Sequence, residues 1–244
     1  AVFNGINPGT YMYSVEIMSQ GSAVDFGDTS SPHDIAASFS SSTRGIIGGG
    51  FDNPAVVTAI EYVTIASAGD AISFGSLATS HWRNCGGCSS STRGLFFAGG
   101  HPSYYNTIEY IEIPTLGNAL DFGDQSTSFA WRRCFSSATR GFSAGGFDGP
   151  AAPNITTDMV TIASKGNGTK FGELQTKVFG MGAFANSVKG VYGGGYSPGY
   201  SHIVDKVSLV SADQNLHLRM VEKGDGIGIF YEFDLLNYHS FLAL

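Results

Sequence analysis

The feature that most constrains this chain is a repeat. The stretch FSSSTRGIIGGG (residues 39–50) returns as SSSTRGLFFAGG (89–100) and as FSSATRGFSAGG (135–146). Its central glycine falls at Gly45, Gly94 and Gly141, with a worn copy at Gly190, so the intervals are 49, 47 and 49. A second landmark, Phe-Gly, stands at Phe26-Gly27, Phe74-Gly75, Phe122-Gly123 and Phe171-Gly172, at intervals of 48, 48 and 49. Between them lies a third, seen in AIEYVTIASAGDAISFG, TIEYIEIPTLGNALDFG and TTDMVTIASKGNGTKFG, with a faint last copy in IVDKVSLVSADQNLHLR. Three landmarks on one period define a tandem unit, which buries its apolar face against its neighbours.

Each unit reads as four short strands. A small-residue strand such as NCGGCSSS is followed by a tight turn at Ser-Thr-Arg-Gly. In that turn glycine is expected at positive φ, with the hydroxyls bonded locally. The second strand (LFFAGG, IIGGG) ends on paired glycines, and the third (IEYVTI, IEYIEI) carries the β-branched and aromatic residues that strands favour. A Gly-Asp or Gly-Asn turn then leads to a fourth strand ending at Phe-Gly, a hairpin signal. Four-stranded units of this length, repeated, imply an all-β fold with the blades of a β-propeller.

Several residues resemble the kelch repeat, whose period is about 50. Arg83 and Arg132 precede the small-residue strands, Gly99-Gly100 and Gly145-Gly146 form the glycine pair, and Tyr62 and Tyr110 sit mid-strand. Phe74 and Phe122 stand where kelch units usually carry Trp. The resemblance covers almost the whole chain and fades after residue 210. The wording SSSTRG…GG…NTIEYI…GNALDFGD is similar to tandem repeats in virion and tail proteins of marine bacteriophages.

Residues 1–244 are therefore expected to form one kelch-like propeller domain, with 211–244 a degenerate closing segment. Five third-plus-fourth-strand pairs are legible but only four complete first-plus-second-strand hairpins. The opening AVFNG matches the end of a second strand, and GIGIFYEF (226–233) has the spacing of a missing inner strand. Pairing of these N- and C-terminal strands would close a ring of five four-stranded blades and remove its exposed edges. In the alternative, residues 235–244 add a further second strand, and the ring is more open or a fragment of a six- or seven-bladed one.

Composition narrows the function. With 13 Lys and Arg against 20 Asp and Glu, the net charge of −7 disfavours a phosphate-backbone partner, so nucleic acid is not expected. No apolar run approaches the roughly 20 residues that span a bilayer, so membrane insertion is not expected either. The first residues lack the basic-then-apolar layout of a secretory signal, as a leaderless or a processed protein would. Asp-Phe-Gly at 25–27 and 121–123 comes without the other kinase motifs and recurs with the repeat. The glycine pairs lack the Lys-Ser/Thr of a phosphate loop. Cys85 and Cys88 have redox spacing, yet residues three apart on a strand face opposite ways, and buried small thiols fit better. The six histidines show no ligand spacing, so the expectation is no catalytic residue, no metal and no cofactor.

What varies between units points to binding. The loops after the glycine pairs read FDNPAVVTA, HPSYYNT, FDGPAAPNITT and YSPGYSH, and those before the inner strands include SHWRN and FAWRR. In four-stranded blades both families emerge on one face of the disc. That face would carry Phe51, Asp52, His101, Tyr104, Tyr105, Phe147, Asp148, Tyr196 and Tyr200, with Trp82, Arg83, Trp131, Arg132 and Arg133. Aromatics with arginine dominate binding hot spots, and loops on a rigid scaffold collect binding function. For the Trp-Arg pairs, packing against the next blade is the competing reading. The expectation is a non-enzymatic module. The phage resemblance implies a virion location, as a tail, fibre or capsid-surface component. Its partners would be virion proteins, host-surface glycans or proteins, or further copies of itself. A cellular lectin or a protein-interaction adaptor is the alternative.

Overall fold

A computed structural model describes residues 2–4, 9–52, 54–79, 86–100, 103–147, 153–196, 199, 201, 203–209, 215–223 and 226–231. All regular structure among these is β, with no helix. The first sheet has three strands, β1 (Val2–Asn4), β2 (Tyr11–Ser14) and β3 (Val24–Asp28). Four propeller blades follow. The first comprises β4 (Ala37–Ser40), β5 (Arg44–Gly48), β8 (Ala59–Thr64) and β9 (Ile72–Ser76), with a two-residue ribbon, β6 (Phe51–Asp52) and β7 (Ala55–Val56), in its loop. The second runs β10 (Gly86–Ser89), β11 (Arg93–Phe97), β12 (Thr107–Glu112), β13 (Leu120–Asp124), and the third β14 (Arg133–Ser136), β15 (Arg140–Ala144), β16 (Thr156–Thr161), β17 (Thr169–Glu173). The fourth has five strands: β18 (Gly182–Ala185), β19 (Lys189–Gly193), β20 (Ile203–Ser208), β21 (Asn215–Lys223) and β22 (Gly226–Tyr231). All neighbours are antiparallel, and the inner strands contact one another in the order β4, β10, β14, β18.

One expectation is corrected. Residues 226–231 do not pair with the N-terminal strand; β22 pairs along β21, Leu218 to Tyr231 through Lys223 to Gly226. Only Gly224 and Asp225 separate that last pair in sequence, and closing so short a hairpin costs far less entropy than joining the chain ends. The alternative at 235–244 lies outside the described residues. The faint last repeat does form a third and fourth strand, but without the bulge that the other fourth-strand pairings share.

The cores lie between blades. Ala37, Ile46, Phe74 and Leu77 of the first blade pack on Phe96, Ile111, Ile113 and Ala119 of the second. Cys88, Leu95 and Phe122 of the second meet Val160 and Ile162 of the third. Phe135, Phe142 and Leu174 of the third meet Tyr192, Val207 and Leu209 of the fourth. The first sheet contributes Met12 and Phe26 against Val63.

Polar contacts repeat at the same boundaries. The guanidinium of Arg44 donates to the Ile113 carbonyl (2.6 Å), that of Arg93 to Ile162 (3.0 Å) and that of Arg140 to Leu209 (3.3 Å). Each is the arginine of the Thr-Arg-Gly motif reaching the third strand of the next blade. The motif's glycine is not in a positive-φ turn, contrary to expectation. Gly94 and Gly190 lie under the rings of Phe39 and Phe135 from the preceding blade, so a Cβ there would overlap those rings. The turn itself is held by Ser41, Ser90, Ser137 and Asn186, whose side-chain oxygens accept from the backbone N–H three residues on.

The Phe-Gly landmark has a related cause. Gly69, Gly117 and Gly166 donate their N–H to the carbonyls of Phe26 (2.6 Å), Phe74 (3.0 Å) and Phe122 (2.9 Å) in the preceding sheet. This brings the turn so close that a Cβ on Gly27, Gly75 or Gly123 would overlap the next unit's backbone. Gly123 also has φ of 144°, a conformation that side chains disfavour. Gly123→Ala is therefore expected to cost about 1–3 kcal/mol in urea denaturation. Gly21→Ala, whose Cβ meets nothing within 4 Å, serves as the neutral control.

Candidate interaction face

The two loop families meet as the unit pattern requires. Isolated bridges join Asp34 to Phe51, Ala130 to Phe147 and Phe179 to Tyr196, each tying the loop before an inner strand to the loop after a glycine pair. The residue after each bridge start is left-handed: Ile35 at φ 58°, Trp131 at 61° and Gly180 at 67°. The conformation belongs to the repeat, and glycine meets it without strain in one unit, whereas Trp131 meets it with a bulky side chain.

At the boundary of the third and fourth blades this geometry gathers four aromatic rings. Phe179 is the hub, with centroids 5.1 Å from Phe147, 5.5 Å from Tyr196 and 5.9 Å from Trp131. Tyr196 is 44% exposed, and Phe147 and Trp131 are half-buried, so the cluster presents ring surface outward while its centre is packed. Of the sequence candidates, Trp131, Phe147 and Tyr196 are thus brought together. Tyr105 is 43% exposed and Tyr104 half-buried on the second blade's loop. Asp52 is half-buried, paired with Ala55 in the small ribbon. Phe51 is buried at 7% and packs inward, so it is not presented as expected. His101, Asp148, Tyr200, Trp82 and Arg83 lie outside the described residues. Phe179 was missed because it occupies the place of Ala130, where the other copies have no aromatic. An aromatic at an otherwise non-aromatic loop position was the available signal.

Arg132 is corrected from the binding face to the interior. It is 1% exposed and donates to Asp158 (3.0 Å), to the side chain of Gln125 (3.1 Å) and to the carbonyls of Ser143 and Thr156. Its neighbour Arg133 donates to the carbonyls of Met181 and Arg132. A buried carboxylate demands a cation and donors, and Asp158 receives both, including the N–H and hydroxyl of Ser126 from the preceding blade. The same position is Glu61 in the first blade, Glu109 in the second and Asp205 in the fourth, and each accepts from the loop of the preceding sheet. Removing the cation strands the carboxylate, so Arg132→Met is expected to lose about 3–5 kcal/mol of stability in urea unfolding.

In the first blade the cation's place is taken by His33. Its Nδ1 lies 2.8 Å from the Gly49 carbonyl and its Nε2 3.2 Å from Glu61, whose carboxylate also accepts from Ser30. Burial pushes the Glu61 carboxyl up, but the hydrogen bonds and charge of His33 and the donors of Ser30 outweigh it, so the group ends below its ordinary value. A carboxyl lowered on folding contributes stability above its unfolded pKa of about 4.3, and that contribution fades as pH falls through the folded value. Glu61→Gln is accordingly expected to flatten the acid limb of a urea-midpoint profile between about pH 5 and 3. A parallel limb in the variant would refute this.

Of the Cys85–Cys88 pair, Cys85 lies outside the described residues. Cys88 is a free, buried thiol pushed well above its ordinary pKa, first by burial and then by the neighbouring Cys134, which suits packing and opposes thiolate chemistry. Among the described residues no three His, Cys, Asp or Glu side chains gather as a metal site would require. On the opposite side from the loop face, the four inner turns surround an open depression of about 310 Å³ lined by Ser41, Ser90, Ser137 and Asn186. Their side-chain oxygens are those that hold the turns. Neither a protein-family model nor a curated protein matches the chain, so the functional reading rests on these contacts.

Proposed function

We propose that this protein is a non-enzymatic interaction module of a bacteriophage particle, a tail, fibre or capsid-surface component. It binds a neighbouring virion protein or a host-surface glycan or protein through its variable loops. The observation that carries the reading is the cluster of Trp131, Phe147, Phe179 and Tyr196 across a blade boundary. Partly exposed aromatic rings on a packed centre are the form of a binding hot spot. The repeated boundary contacts support it, because they hold the loops on a rigid frame, as binding surfaces need. The phage setting draws support from the wording of the repeat alone. In this reading the units are kelch-like, and the first sheet counts as a fifth blade with three strands among the described residues.

Mass spectrometry of purified virions tests the location, and absence of the chain from particles would overturn it. The face is tested by Trp131→Ala with Tyr196→Ala. Both side chains are at least partly exposed, so the fold should persist while attachment to the partner or host cell drops at least about tenfold, a loss of the size typical for hot-spot residues. Unchanged attachment would remove the cluster from the binding surface.

A further inference from the structure

Each blade boundary is built from two unlike halves, and the array leaves one of each uncovered. The donor half is the inner hairpin. Phe39, Cys88, Phe135 and Phe184 hold the same place in it, paired with Ile46, Leu95, Phe142 and Val191. Three of the four plug the next blade: Phe39 meets Phe96 at 4.9 Å, Phe135 meets Tyr192 at 4.6 Å, and the Cys88 sulfur covers Gly141. The fourth, Phe184, is 67% exposed, with Val188 beside it at 44%. The cation series Arg44, Arg93, Arg140 ends in Lys189, which has no third-strand carbonyl to reach among the described residues.

The acceptor half is the end of a third strand. Ile113, Ile162 and Leu209 receive the arginines and are buried to 3% exposure or less. The same repeat position in the first sheet is Ile17, again a large aliphatic, and it is 77% exposed next to Met18 at 95%. By backbone register, position 3 pairs with Tyr13 as Phe96 pairs with Glu109 and Tyr192 with Asp205, the position that meets a plug in the second and fourth blades. Both halves expose large apolar side chains, so among the described residues they do not meet within the chain.

We infer that the inner hairpin of the fourth blade docks on the first sheet of a second copy, continuing between chains the boundary used within each. Phe184 then covers the Phe3 position, and Lys189 reaches the Ile17 carbonyl. The contact is heterologous, head to tail, so it leaves one open half at each end of any linear assembly. It uses only the inner part of a boundary. In the fourth blade β22 lies along the outer strand, where earlier blades receive the Gly-Asp or Gly-Asn turn of their neighbour. Association is therefore weaker than the internal boundaries and depends on concentration. This contact is separate from whatever the loop face binds.

Analytical ultracentrifugation of the full chain decides the matter. The wild type should grow in mass with concentration across roughly 1–200 µM, a range set by the weak end of protein association. Phe184→Asp and Ile17→Asp alter exposed side chains and should each stay folded and monomeric. Mixed one to one, they should form a dimer that grows no further, since each retains the half the other lacks. A wild type that stays monomeric throughout would overturn the inference in favour of chains that close on themselves or remain open. So would a mixture that stays monomeric, because complementary variants can fail only if the contact is not head to tail.

Discussion

The structure depends on the contact between one blade and the next. A four-stranded sheet of this size has two faces and cannot bury either alone, so stability comes from stacking unit on unit. That contact is specified at three depths. Near the axis, an aromatic or a thiol sits over a glycine. Midway, an arginine crosses to a third-strand carbonyl. At the rim, a turn N–H bonds the carbonyl of the Phe-Gly landmark. Most residues that define the repeat act across a boundary, which explains why they survive where the loops diverge.

The buried carboxylates extend the same theme to electrostatics. Glu61, Glu109, Asp158 and Asp205 stand at one repeat position and draw donors from the preceding sheet, while the side chain added beside them differs between blades. His33 stands beside one and Arg132 beside another. An isolated buried carboxylate costs far more than a hydrogen bond returns, so each of the four is supplied with donors from the preceding sheet. Arg132 is therefore part of the scaffold.

The loop face then rests on a frame whose polar groups are largely committed inward. What it presents at the third boundary is ring surface from Trp131, Phe147 and Tyr196, organised by Phe179. Trp131 holds a left-handed backbone that glycine adopts freely in the neighbouring unit. The unit's geometry imposes that conformation, and the residue placed in it is what distinguishes one boundary from another.

The repeat period, the four-strand unit, the all-β class and the placement of both loop families were legible in the sequence, because each follows from local pattern and spacing. The side chosen by a side chain was not. Arg132 and Trp131 are adjacent in the chain, and only packing sends one beneath Asp158's blade and leaves the other beside Phe179. The Thr-Arg-Gly glycine read as a turn residue, yet the turn is held by serine, and the glycine at 94 makes room for the ring of Phe39 in the preceding blade. The end of the chain shows the same division. A strand at residues 226–231 was visible in its residues, but its partner was set by the short hairpin that joins it to β21. Sequence by itself determined the unit and its number of strands, since propensity and turn chemistry act over a few residues. Tertiary structure alone decided which faces meet, because that depends on the volume and charge offered by a different unit.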